Sequence, residues 1–221
     1  MDRLLDDQED NSNEEGETMT ASEVLQKLEE AWKNEQFSPE LLEIKVDIVE
    51  CIAEQIRVME DNIQRAKKND FKVTIHNMEI NRIRFMLSSY LRERLKKIEE
   101  NTSYILVSEA QRRDDEPPHL SPEEYQYAKE FLQSMDGHYK SLVLRHLPLN
   151  LQSLESRQAM VPPNLESYVF LKVNEKSEGV LIEEETAESR EEIIDMTKDD
   201  QHIMRYKPVS TLVSSGAVSL I

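Results

Sequence analysis

The 221-residue chain carries a formal net charge of −18, with 33% charged and only 6% aromatic residues. That balance excludes general affinity for a polyanion, which depends on neutralising phosphates with Lys and Arg, and it favours helices with solvated faces over a dense all-β core. A single cysteine, Cys51, cannot form an internal disulfide and fits a reducing compartment. No run approaches the about 18 apolar residues of a membrane span, and the first stretch is too acidic for a secretory signal, so a soluble intracellular protein is expected.

Residues 1–19 hold eight acidic residues against Arg3 alone and read as a disordered tail. Leu4 and Leu5 are its only sticky feature; either the tail merely solvates, or these two leucines dock on another protein. Thr20 with Glu23 forms a capping box and opens a helix whose buried face is Val24, Leu25, Leu28, Ala31 and Trp32. The sole tryptophan, Trp32, reads as a core anchor. Pro39 starts a short turn ending in Leu41 and Leu42. From Asp47 the pattern Ile48, Cys51, Ile52, Ile56, Met59, Ile63 makes a second helix ending near Lys68. Only Asn69 and Asp70 separate it from the next, so the two should be antiparallel neighbours.

The stretch Lys72 to Glu100 contains neither Pro nor Gly. Val73, His76, Ile80, Ile83, Leu87, Leu91, Leu95 and Ile98 share one stripe at helical spacing, widened by Ile75, Met78, Phe85, Met86 and Tyr90. At 1.5 Å per residue it runs roughly 40 Å, longer than one small domain needs. Part of its apolar face is therefore expected to seek another partner, with Arg82, Arg84, Tyr90, Leu91 and Arg94 as candidate interface residues. Seven Lys/Arg stand here against four Asp/Glu, a basic excess in an acidic chain. Lys96 and Lys97 read as cations at the negative end of the helix dipole.

The segment after Glu100 reads as a loop closed by Pro117 and Pro118. Ser121, Pro122 and Glu124 then supply an N-cap, first position and capping box for a helix with Tyr125, Ala128, Phe131, Leu132, Met135, Tyr139, Leu142 and Leu147 on its stripe. Gly137 marks an expected bend, and Pro148 stops the helix. Residues 151–165, with Pro162 and Pro163, read as a linker between a helical domain (20–150) and a small β-rich domain (166–221). In the latter, Ser167–Val173, Gly179–Glu184, Glu191–Met196, Gln201–Tyr206 and Ala217–Ile221 alternate as short strands, with a short helix or turn at Pro208–Ser215. Gly216 permits a tight turn into the last strand. That strand would put Val218 and Leu220 on one face and Ser219 and Ile221 on the other. Both faces should want cover, which makes Val218, Leu220 and Ile221 candidate interface residues.

Catalytic and ligand chemistry find no foothold. Gly16, Gly137, Gly179 and Gly216 are too dispersed for a phosphate-binding loop. His76, His119, His138, His146 and His202 do not pair with one another or with Cys51 at metal-ligand spacing. The adjacent carboxylates Asp114–Asp115 and Asp199–Asp200 lack a partnered base. No catalytic residue, cofactor or metal is expected, which leaves surface for association. A homodimeric helical bundle is one reading of the excess apolar face.

The collinear series WKNEQFSPELLE from Trp32, RIRFMLSSYLRERLKKIEE from Arg82, SYVFLKV from Ser167 and RYKPVSTLVSSGAVSLI from Arg205 resembles the Sld-five family, the fourth subunit of the eukaryotic GINS complex. The resemblance spans Ala21 to Ile221. It implies a mainly α protein, with a helical A-type domain followed by a β-rich B-type domain. It further implies a heterotetramer with three other GINS subunits, which joins the MCM ring and the Cdc forty-five factor as the CMG replicative helicase in the nucleus. In that setting the ring hydrolyses ATP and this chain is a non-catalytic structural subunit for replication initiation and fork progression, touching DNA only indirectly and no membrane. In some members the N-terminal tail docks a fork adaptor. The alternative is a nucleic-acid-binding adaptor using Arg82, Arg84, Arg92 and Arg94.

Overall fold

In the computed structural model the described residues are 20–66, 71–113, 116–149, 152, 160–183 and 192–221. The tail with Leu4 and Leu5, the pair Asp114–Asp115 and most of 151–165 lie outside them. Helix α1 (Ala21–Phe37) begins at the expected capping box: the Thr20 amide donates to Glu23 Oε2 at 2.7 Å and the Glu23 amide to Thr20 Oγ1 at 3.3 Å. It packs with α2 (Val46–Arg65) and α3 (Phe71–Glu100) around Val24, Leu28, Ile52, Ile56, Ile80, Ile83 and Met86. Joined across five residues and lying side by side, α2 and α3 are antiparallel. Trp32 sits half-buried at this seam, where its indole N–H donates to Ser89 Oγ at 3.0 Å and its ring meets Phe85 edge-on. Cys51 departs from the expected stripe: it is exposed, because the buried line runs through Ile52 and Ile56 instead.

One further expectation fails just after the end of α3. The stretch after Glu100 is not a loop but a helix, α4 (Thr102–Gln111). Asn101 breaks α3, the Thr102 hydroxyl donates back to the Ile98 carbonyl at 2.6 Å, and Ile105 drops into a core with Leu41, Ile98, Leu120 and Ala128. The short apolar run was legible, but its helical state depends on that cover. Helix α5 (Pro122–Leu142) starts at the predicted Ser121 capping box and runs through Gly137 without ending there; a 3-10 turn (Leu144–His146) follows it. No residue from Lys129 to Val143 is buried.

In the C-terminal part a strand forms at each of the five expected runs. Strands β1 (Tyr168–Val173), β4 (Gln201–Arg205) and β5 (Val218–Leu220) form an antiparallel sheet in the order β4-β1-β5. β2 (Ser177–Glu183) and β3 (Glu192–Met196) form a separate antiparallel pair. Helix α6 (Tyr206–Ser215) covers one sheet face, and Gly216 at φ 81° caps it in the left-handed conformation that a side chain would resist. Val169, Leu171, Val173, Met196, Met204, Val209, Val213, Val218 and Leu220 fill this core.

The sheet leans on α1. The Asn34 side-chain carbonyl accepts the buried Leu220 amide at 2.7 Å, and the Tyr206 hydroxyl donates to Glu40 at 2.7 Å. Asn34 therefore satisfies a backbone donor on β5, an edge strand that would otherwise present it unpaired. This corrects the expectation for the last strand: Val218 and Leu220 are fully buried by their own chain, and only Ile221 keeps substantial exposure.

Candidate association surface

The lower half of α3 is organised by charge rather than by leucine. The buried line passes from Met86 through Tyr90, Arg94 and Lys97 to Ile98, leaving Leu87, Leu91 and Leu95 half-buried at its flank. Arg94 is 0% exposed and places all five of its N–H donors. Nε and Nη2 grip Glu124 in a two-pronged contact, both at 2.9 Å. Nη1 donates to Glu35 Oε2 at 3.2 Å and to the Leu42 carbonyl at 2.9 Å, and Nη2 also reaches the His119 carbonyl at 2.6 Å. One turn on, the Lys97 ammonium donates to Glu35 Oε1 at 2.8 Å, Ser38 Oγ at 2.7 Å and the Glu40 carbonyl at 2.8 Å. A charge this far from water persists only when paired and hydrogen-bonded. Burial opposes the charged guanidinium, but the Glu124 hydrogen bonds and the charges of Glu35 and Glu124 outweigh it and raise the Arg94 pKa. At Lys97 burial prevails over Glu35, and the pKa is lowered.

This network ties four segments to one helix: α1 through Glu35, the 38–43 loop through its carbonyls, the approach to α5 through His119, and α5 through Glu124. Glu124 serves twice, since its Oε2 also accepts the Ser121 amide at 3.1 Å. The capping-box spacing marked Glu124 in the sequence, but only as a cap. Nothing local marked Glu35, which faces solvent in any helical reading that sends carboxylates outward.

The candidate interface residues therefore divide. Arg94, Tyr90, Val218 and Leu220 are buried within the chain and cannot meet a partner in this conformation, which corrects their assignment. Arg94 and Tyr90 are turned inward by the carboxylates and core beneath α3, and the two strand residues by α6 and α1. Lys97 is likewise structural rather than a helix-terminating surface charge. Arg82, Arg84 and Ile221 are exposed, and Leu91 is half-exposed. Arg82 pairs with Glu79 at 2.7 Å and Arg84 pairs with Glu60. Of the four arginines proposed for a nucleic-acid surface, three thus face carboxylates of their own chain, and Arg92 is exposed.

What the surface does offer is apolar. Phe71, Ile75, Met78 and Phe85 are exposed on α3. Tyr139, Leu142 and Val143 are exposed at the end of α5, beside a cleft of about 560 Å³ lined by Phe131, Met135 and Val161. On the open side of the sheet, Phe170 pairs across to Ile203 and its carbonyl accepts the Ile221 amide at 3.1 Å; Tyr168, Phe170 and Ile203 are all exposed. Contiguous apolar patches of this kind mark association sites. Among the described residues no group of three or more His, Cys, Asp or Glu converges as metal ligands, and no helix is long and apolar enough to cross a membrane.

Comparison with known proteins adds to the geometry. A model of the GINS complex protein helical bundle domain matches residues 23–143. A model of the DNA replication complex GINS protein SLD5 C-terminus matches residues 163–221. The chain is 50% identical over 210 residues to the DNA replication complex GINS protein SLD5 of Xenopus laevis, with 95% of each chain covered. It is 48% identical over 214 residues to the human protein of that name, covering 97% of this chain and 96% of the relative. At greater distance, it is 32% identical over 222 residues to the Arabidopsis thaliana protein of the same name.

Proposed function

The chain belongs to the SLD5 family of GINS proteins, and on that premise we propose that it is a structural, non-catalytic subunit of a heterotetrameric GINS complex in DNA replication. The observation that carries this reading is similarity running through both the helical and the strand-bearing parts at about half identity. The exposed apolar surfaces on α3, α5 and the sheet support it, since a chain that leaves such faces uncovered is suited to permanent association.

Within this reading residues 20–150 form the helical domain, 166–221 the β-rich domain, 151–165 the linker and 1–19 an acidic tail, which either solvates the chain or docks a fork adaptor through Leu4 and Leu5. The assembled complex joins the MCM ring and the Cdc forty-five factor in the nucleus. The ring supplies ATP hydrolysis, and this chain positions its neighbours. Coexpression with the three other GINS subunits followed by size exclusion tests the proposal: one stoichiometric four-chain peak is expected. Elution of this chain apart from the other three would overturn it. Salt-dependent duplex binding by the isolated chain, with a steep fall in affinity as salt rises, would favour a nucleic-acid adaptor instead.

A further inference from the structure

The loop that joins α1 to α2 has little backbone pairing of its own. Among the described residues, 39–44 neither donate nor accept a backbone–backbone hydrogen bond. Carbonyls taken out of water need donors from elsewhere, and here α3 supplies them. The Lys97 ammonium donates to the Glu35 carbonyl at 2.5 Å and to the Glu40 carbonyl at 2.8 Å, as well as to Glu35 Oε1 and Ser38 Oγ. Arg94 holds the Leu42 carbonyl. Ser38 passes the contact on, since its hydroxyl donates to the Glu40 carbonyl at 2.8 Å.

The same stretch also faces the β-rich part. Leu41 is buried with Ile98 and Ile105 in the helical core, whereas its neighbour Leu42 packs on the core of the sheet. Asn34 Oδ1 accepts the Leu220 amide and the Glu40 carboxylate accepts the Tyr206 hydroxyl, both at 2.7 Å. Residues 34–42 are thus held by α3 on one side and hold the β-rich part on the other. A module that small buries proportionally little surface by itself, so its orientation depends on this seam.

We infer that Lys97 is a positioning residue for the β-rich part, and that residues 34–42 are a strap through which α3 sets where the sheet docks. The inference goes beyond the subunit role proposed above and does not require the other subunits. Among the described residues every hydrogen bond of Lys97 ends between Glu35 and Glu40, so it acts on the sheet only through the strap. Without the ammonium, the Glu35 and Glu40 carbonyls lose the charged donor that fixes the path of the main chain. Asn34 and Glu40 then leave their places beside Leu220 and Tyr206. The β-rich part undocks with its own core still closed, a partial opening distinct from global unfolding.

The test is native-state amide exchange on the full chain carrying Lys97→Met. The Leu220 amide, bonded to Asn34 across the seam, should exchange at least about tenfold faster relative to the Leu171 amide in the central strand of the sheet than it does in the parent. Ile52→Ala, which opens the helical core away from the strap, should leave that ratio unchanged. In parallel, nitroxides on Cys51 and on Thr211→Cys, both exposed positions on α2 and α6, should give one narrow distance distribution in the parent and in Ile52→Ala, and a broad one in Lys97→Met. Ser38→Ala, a smaller truncation that keeps the ammonium, should raise the exchange ratio in the same direction and decides the matter if Lys97→Met does not fold. Equal acceleration of Leu220 and Leu171, an unbroadened distance in folded Lys97→Met, undocking in Ile52→Ala, or an unchanged ratio in Ser38→Ala would each overturn the inference.

Discussion

Replacing Arg94 by Met keeps the aliphatic stem and removes the guanidinium, and the consequences follow from what remains. Glu35, 1% exposed, keeps Lys97 as a counter-charge, but Glu124, 8% exposed, keeps only its capping contacts with Ser121. The Leu42 and His119 carbonyls each lose their Arg94 donor. Removing one member of a buried ion pair costs about 3–5 kcal/mol, a large part of the about 5–15 kcal/mol that holds a domain folded. For a chain of this length each kcal/mol moves Tm by about 2–4 °C, so a fall of about 6–20 °C is expected. Urea and thermal unfolding can be followed by far-ultraviolet circular dichroism, with fluorescence of Trp32 reporting the α1–α3 seam. Adding Glu124→Gln to Arg94→Met should recover part of the loss, because it removes the stranded charge. Arg82→Ala, which breaks only an exposed pair, should unfold like the parent chain. Two outcomes would refute the reasoning: Arg94→Met unfolding within about 1 kcal/mol of the parent, or Glu124→Gln deepening the loss additively.

Asn34→Ala strands the buried Leu220 amide, and a buried donor left unpaired costs about 1–3 kcal/mol; hydrogen exchange at Leu220 should accelerate accordingly, and an unchanged rate would show that Asn34 does not hold β5. Burial and the neighbouring Glu40 raise the Tyr206 pKa, so the folded phenol keeps its proton where the unfolded one loses it. The contribution is complete below the unfolded value of about 10 and is lost as pH rises towards the folded one, at up to about 1.4 kcal/mol per pH unit. Tyr206→Phe should flatten that alkaline slope, and identical slopes would disprove the assignment. Deleting Val218–Ile221 removes two fully buried core side chains, at about 2–5 kcal/mol for each large aliphatic truncation. It should therefore reduce recovery of the coexpressed complex far more than deleting residues 1–19; equal recovery would sink that expectation.

Much of the architecture was legible because its signals are local. The capping boxes at Thr20 and Ser121 each lie within four residues, Gly216 serves the turn before β5 through its own backbone, and the alternation of apolar residues located β1, β3 and β4. The helix at Thr102–Gln111 escaped that reading because its short apolar run becomes helical against Leu41, Leu120 and Ala128, which arrive from elsewhere. The same limit governed the candidate surface. Periodicity assigned leucines inward and cations outward along α3, and that held at Ile80 and Ile83, where only hydrocarbon lies beneath. At Arg94 and Lys97 it failed, since Glu35 lies 59 and 62 residues away and Glu124 lies 30 residues from Arg94. Sequence by itself determined where α1 and α5 begin, because their caps are contacts between near neighbours, and which family the chain resembles, because that rests on a collinear series of motifs. Which face of α3 is core and which is left open was decided by tertiary structure, because the free energy of burying a charge depends on whether distant counter-charges and carbonyls converge on it.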